Sequence, residues 1–497
     1  MVTANYRRIR WTLGIAWDRS EVADVAWAIV GTSLVNGTDM VRGLEGDLTQ
    51  SENFTYYDET RRVLRLEFDR AIQEPLGGIS LALADLLLDN TDLRFTPYRN
   101  ATAFSSAFPN RPVRFFTGLN VQMEDKVVPV FKGLTVNPTE SKAQRTYSAT
   151  CEDYISYLNR FPLSPKTYVS QRSDQIIADI LVDVGFGTTQ YELDTGLNTI
   201  TFAWFSTGQT AGERIRKICE AEEGNFYQDE GGMLRFENRQ HYTLPPHDGV
   251  VWTIHPQDII EWEYDNPIIV NHAIVRAKPR RVQPSQVVYP SVEDQTLFDT
   301  QYRELTTGTN EVWVSLPEPC STIANPDQTT DFLANTAADG SGTNKTTSVT
   351  AVVTSFVDSA KIVFTNAYGS TVYLTKFRLN GTPATIISDI VATSDDDRSV
   401  AKFNEQMWEI ENDFIASQSV ADDLAEHLVN KYKDPMKRIK IVIPGIPHIQ
   451  LKDKVSVTDI DLDTSSDYRV MRIVGQLDDG GFTQTLYLRE ITSTETD

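Results

Sequence analysis

Apolar residues in this chain follow a period of two near both ends and a period of three to four in between, so no single element type can carry its fold. In the first 160 residues, Val63, Leu66 and Phe68 alternate, and the runs 113–118, 127–134 and 146–151 are short, rich in β-formers and bounded by turns. One helix is expected among them. Ser80 precedes Leu81, Ala84, Leu87 and Leu88 at helical spacing, and Asp89, Asn90 and Thr91 supply a stop. The pattern predicts a β-barrel over 1–160 with that helix as a plug or lid.

Between 161 and 249 the period lengthens. Ser173 is placed to cap a helix with Ile176, Ile177, Ile180, Leu181 and Val184 on one face and Gly185 at its end. Thr210 and Glu213 have capping-box spacing ahead of Ile215, Ile218 and Cys219, with Gly224 as terminator. The runs 225–228 and 233–238 then flank Asp229-Glu230-Gly231-Gly232 as a hairpin, which completes a small α+β module.

Strand patterns return at 251–254, 268–275 and 311–316. A polar loop at 335–345 and strands at 347–353, 361–365 and 371–378 predict a β-sandwich inserted over 321–387. Ser419 is expected to cap a helix carrying Val420, Leu424, Leu428 and Tyr432, stopped by Asp434 and Pro435. Strands at 439–443, 454–457, 468–474 and 484–489 follow. The expected fold class is mainly β with α+β parts. It comprises a barrel over 1–160, the module at 161–249, the insert, and a second barrel from 250–320 plus 388–497 that includes the helix at 419–433.

At 497 residues the chain exceeds what one core supports, which predicts three or four domains. No window approaches the 18 apolar residues of a membrane span, and the start lacks the apolar run and cleavage site of a secretory signal, so folding in a cytosol is expected. The net charge of -23 repels phosphate backbones and argues against specific nucleic-acid binding. An acidic surface can line a passage that DNA crosses without sticking, and it equally serves solubility.

The residues offer no catalytic signature. Phosphate loops, His-Glu-x-x-His, nucleophile elbows and strand-linked Gly-x-Gly-x-x-Gly are absent. Cys151, Cys219 and Cys320 form no Cys-x-x-Cys pair, and the first two sit on apolar patterns that read as core. His241, His247 and His255 share no helix face. Asp459, Asp461 and Asp463 alternate as calcium ligands do, but Thr464 and Val470 stand where a calcium loop needs Gly and Glu, so the run reads as an acidic turn. Asp395 to Asp397 reads as a charged loop, and the basic run 276–281 reads as a strand end or subunit contact. No catalytic, cofactor-binding or metal residue is assigned.

The two ends echo each other. RPVRFFTGL, VPVFKGLTVN and RTYSATCEDYI in the first region match KDKVSVTDI, YRVMRIVGQL and FTQTLYLREI in the last by strand order and polarity, which predicts two similar barrels. With DLLLDNTDLRFTP (85–97), NRPVRFFTG (110–118), VFKGLTVNP (130–138), QRSDQIIADIL (171–181), TAGERIRKICEAEEGNFYQDEGGMLRFENR (210–239) and IKIVIPGIPHIQLKDKVSV (439–457), the chain resembles the tail hub family of long-tailed phages. The resemblance is carried by the ensemble and covers the chain outside 321–387.

The resemblance implies two related barrels per subunit, so that a homotrimer makes a pseudo-sixfold, non-enzymatic ring in the virion's tail tip, assembled in the host cytoplasm. The implied partners are the distal tail protein, tail tube protein, tape measure protein and a central fibre or spike. Many relatives carry a C-terminal fibre or lysin region, whereas this sequence stops soon after its last strand, so receptor binding and wall digestion are expected elsewhere. Two alternatives stay open: a cell-wall hydrolase and a carbohydrate-binding receptor protein. The aromatics of 321–387, Phe332, Phe356, Phe364, Tyr368, Tyr373 and Phe377, are spaced more like strand core than a sugar-stacking face.

Overall fold

A computed structural model describes residues 9–15, 57–75, 77–96, 109–121, 124–241, 249–290, 302–459, 464–478 and 481–491. In the first part of the chain, period-two segments form β1 (Ile9–Ile15), β2 (Val63–Ala71), β3 (Leu83–Asp89), β4 (Pro112–Val121), β5 (Glu124–Ser141) and β6 (Thr146–Glu152). In the last part they form β7 (Val250–Ile254), β8 (Glu261–Asp265), β9 (Arg438–Pro444), β10 (Lys454–Thr458), β11 (Ser465–Asp478) and β12 (Gly481–Glu490).

The lateral order is β2-β3-β6-β5-β4-β1 in the first half and β8-β9-β12-β11-β10-β7 in the second. Each strand's counterpart is six labels on, so the two halves share one topology in the same chain order. One pair departs: β1 is antiparallel to β4, whereas β7 is parallel to β10.

The halves are joined edge to edge. β2 pairs antiparallel with β11 from Leu66 opposite Leu477 to Ala71 opposite Arg472. The length of β11 allows this. Its first residues, Ser465 to Arg469, pair with β10, its later ones receive β2, and β12 runs along its other edge. With the short strand Tyr57–Asp58 on β1, the result is one 13-stranded sheet. Leu66, Phe68, Leu86 and Phe115 from the first half share a single core with Ile441, Val455, Ile473 and Leu486 from the second. At the seam, Gly475 faces Phe68, and a Cβ on that glycine would lie 2.2 Å from the ring.

The helix expected after Ser80 is instead strand β3, with Ala84, Leu86 and Leu88 buried and alternate residues more exposed. A Leu/Ala-rich run satisfies either period, and here β2 and β6 flank it on both sides and decide the outcome. The stop was read correctly: Thr91 donates its N–H to Asp89 in an Asx turn.

Helices α1 (Tyr154–Arg160), α2 (Ser173–Val184) and α3 (Ala211–Glu220) build the α+β module with the hairpin Asn225–Gln228 and Leu234–Glu237. The Thr210–Glu213 capping box forms as read, and Gly185 ends α2 in the left-handed conformation. Ser173 is not the cap. It is the first helical residue, and its hydroxyl donates to Glu222 Oε2 at 2.6 Å. Asp396, read as part of a loop, caps α4 (Asp397–Phe403) by accepting from Arg398 and Ser399 N–H. α5 (Gln418–Tyr432) is capped by Ser417, two residues before the expected Ser419.

Two boundaries differ from the expected ones. α5 and the three-stranded sheet Ile390–Asp395, His272–Ala277, Met407–Glu411 pack into the core of α1–α3, so they join the module rather than the second half. The insert begins near 280, since Arg280–Val282, Gln286–Tyr289, Arg303–Leu305 and Gly308–Ser315 all pair with strands at 359–386 around a separate core. Local pattern locates elements but carries no record of which distant strand each one pairs with.

Candidate functional site

The residues flagged in the sequence lie apart from one another. Cys151, Cys219 and Cys320 are buried and free, and burial pushes all three thiols up, that of Cys320 to about 11. His241 binds Asp194 Oδ2 through Nδ1 at 2.7 Å, His255 precedes a 3-10 turn, and His247 lies outside the described residues. Asp459 is buried and paired with Lys437 at 3.0 Å, while Asp461 and Asp463 lie outside the described residues. Among the described residues no cluster of three His, Cys, Asp or Glu is arranged to hold a metal, and no helix is long and apolar enough to cross a membrane.

Two of the four basic residues in the run 276–281 are held in ion pairs. Arg276 pairs with Glu409 at 2.5 Å, and Arg280 pairs with Glu318 while its guanidinium stacks over Trp204. In the insert, Phe332, Phe364 and Phe377 are core as read. The earlier start of the insert adds Trp313, 58% exposed and 5.1 Å from Phe356.

Sequence reasoning missed a buried ionic junction where the two halves meet the module. Glu74, in the loop after β2, accepts from Arg438 at 3.0 Å, from Arg489 and from the Tyr432 hydroxyl at 3.4 Å. Burial alone would raise the Glu74 carboxyl; Arg489, Lys431 and Arg438 outweigh it and hold it below the usual range. Glu223, just after α3, pairs with Lys431 at 2.8 Å and with His427 at 3.2 Å, both on α5. Lys452, ahead of β10, reaches Glu237 at 2.6 Å, and Glu237 also accepts from the Tyr227 hydroxyl at 2.7 Å. Burial draws the Lys452 ammonium down despite Glu237, with Lys431 and Arg469 adding to the effect.

These partners are as far as 415 positions apart in the chain. The arrangement ties the loop after β2, the module, α5 and β9–β12 together, and a cavity of about 150 Å³ lies among them. Chemically it is a clamp that holds Glu74, Glu223 and Glu237 against cations from distant segments.

The second feature is an open edge. β8 pairs with β9 from Glu261 opposite Val442 to Asp265 opposite Arg438, and among the described residues no strand lies on its other side. Its counterpart β2 is occupied at that edge by β11. Trp262 and Tyr264 meet edge to face at 6.2 Å under the Lys437 ammonium, and Tyr264 is 65% exposed. Strand edges of this kind are normally blunted or covered, because their free N–H and C=O groups template further pairing.

No protein-family model matches the sequence, and no curated protein matches it. Among solved structures, the chain is similar to the tail protein from Neisseria meningitidis MC58, with a TM-score of 0.48 and 9% identity over 89% of this chain and 96% of that one. It is also similar to the 43 kDa tail protein of prophage MuSo2 from Shewanella oneidensis, with a TM-score of 0.46 and 9% identity over 89% and 97%. A third is the prophage tail protein gp18 from Listeria monocytogenes EGD-e, with a TM-score of 0.39 and 8% identity over 90% and 95%. All three of these structures are described as tail proteins.

Proposed function

We propose that this chain is a non-enzymatic structural subunit of a phage tail-tip hub, and that three copies close into a ring. The observation that supports this best is the duplicated six-strand topology joined through β2 and β11, with no strand on the outer edge of β8 among the described residues. If the within-chain joint repeats between chains, β8 of one copy adds to the part of β5 beyond Leu134 in the next, the counterpart of the β11 seat. Three two-fold-repeated subunits then present six similar units. Such a ring matches a sixfold tail tube and distal tail protein on one side and a central fibre or spike on the other. A chain with net charge -23 suits an aperture that passes tape measure protein and DNA without holding them.

The edge is directly testable with proline. Successive N–H groups in a strand point to opposite edges, so of Glu263→Pro and Tyr264→Pro one removes an inward ladder bond and the other an outward group. The outward variant is expected to stay folded and to scatter light as a single 55.9 kDa subunit at concentrations where the parent has three times that mass. If both folded variants keep the parent's mass, the edge is not the subunit contact.

A further inference from the structure

The cavity in the ionic junction has a charge balance opposite to that of the chain. Its wall carries Arg239, Lys431, Lys452, Arg469 and Arg489 against the carboxylates Glu74 and Glu223. Acids behind the wall answer part of this. Glu237 binds Lys452, Glu222 feels Arg239, and Asp453 feels Arg469. Another cation, Arg438, stands behind Glu74.

Among the described residues of the wall, two buried acceptors, Glu223 Oε2 and Asn225 Oδ1, make no hydrogen bond, and one donor of Arg239 is in the same position. Arg239 Nη1 is buried and has no hydrogen-bond partner, and a charged donor withdrawn from water without an acceptor is costly. The cavity of about 150 Å³ has room for several waters or one compact ion.

We propose that this cavity binds a small tetrahedral oxyanion of the phosphate or sulfate class, with Arg239 as its dedicated donor and Lys431 and Arg489 sharing their charge between it and the glutamates. A guanidinium presents a planar fork of N–H groups that matches two oxygens of such an anion, whereas a water offers it no charge. Because the wall is assembled from the loop after β2, the module, α5, the turn before β10, and β11 and β12, an anion there binds only the folded junction and tightens all of these parts together. This reading is independent of the ring.

The test is thermal unfolding of the full chain in rising inorganic phosphate, with ionic strength held constant by sodium chloride, beside parallel series in sulfate and acetate. The expected result is a saturating rise in Tm with phosphate or sulfate, absent with acetate and abolished in Arg239→Gln. A rise that never saturates and persists in Arg239→Gln is general salting-out and overturns the proposal, as does no rise at all. Should Arg239→Gln fail to fold, equilibrium dialysis of the parent chain against radiolabelled phosphate decides: about one ion per chain supports the site, and none refutes it.

Discussion

At the scale of single residues, the strongest constraints are charges that the sequence gives no reason to bring together. Glu74, Glu223, Lys431 and Arg489 each look like ordinary surface residues in their local context, and only the packing of segments distant in the chain buries them. Removing one member of a buried ion pair strands the others, which typically costs about 3–5 kcal/mol. Glu74→Ala is therefore expected to lower stability by that order in urea unfolding at pH 7.

The same carboxyl sets a pH dependence. Its folded-state value lies below the ordinary 4.5, so the folded chain holds the ionised form more tightly than the unfolded chain does. Its contribution is complete above about 4.5 and is lost as pH falls through the lower folded value. The stability gap between the parent and Glu74→Ala should be widest at neutral pH and narrow below pH 4.5. A gap unchanged down to pH 3 would contradict the ion-pair account.

At the scale of elements, local chemistry was readable where it acts locally. The Thr210–Glu213 capping box, Gly185 as a left-handed stop and the hairpin across Asp229 to Gly232 needed only neighbouring residues. The run after Ser80 failed because leucines at 81, 83, 86, 87 and 88 fit either period, and pairing with β2 and β6 settled it. The insert's start and the core joined by α5 were illegible for the same reason, since each depends on a partner elsewhere in the chain.

The seam gives this scale its prediction. Gly475 leaves the space that the Phe68 ring fills. Gly475→Ala should destabilise the chain by about 1–3 kcal/mol through overpacking, and adding Phe68→Leu should recover part of that loss. Fully additive effects of the two changes in a double-mutant cycle would show that the contact does not couple them.

At the scale of the whole molecule, the echo between the two ends proved the most informative reading. The three matched segments correspond to β4–β6 and β10–β12, and the structure extends the match to six strands per half. The sequence pattern could not reveal that the halves share a sheet and a core, because the joint between β2 and β11 spans about 400 residues of chain. Two copies of one unit, with one edge used internally and the equivalent edge bearing no strand among the described residues, are the geometry on which the proposed ring rests.

The most direct measurement is negative-stain electron microscopy of the purified protein, with class averages calculated without imposed symmetry. The account predicts closed rings with six similar lobes around a central hole, three of them marked by the inserted module. Isolated particles at every concentration, or rings with a lobe number other than six, would contradict it.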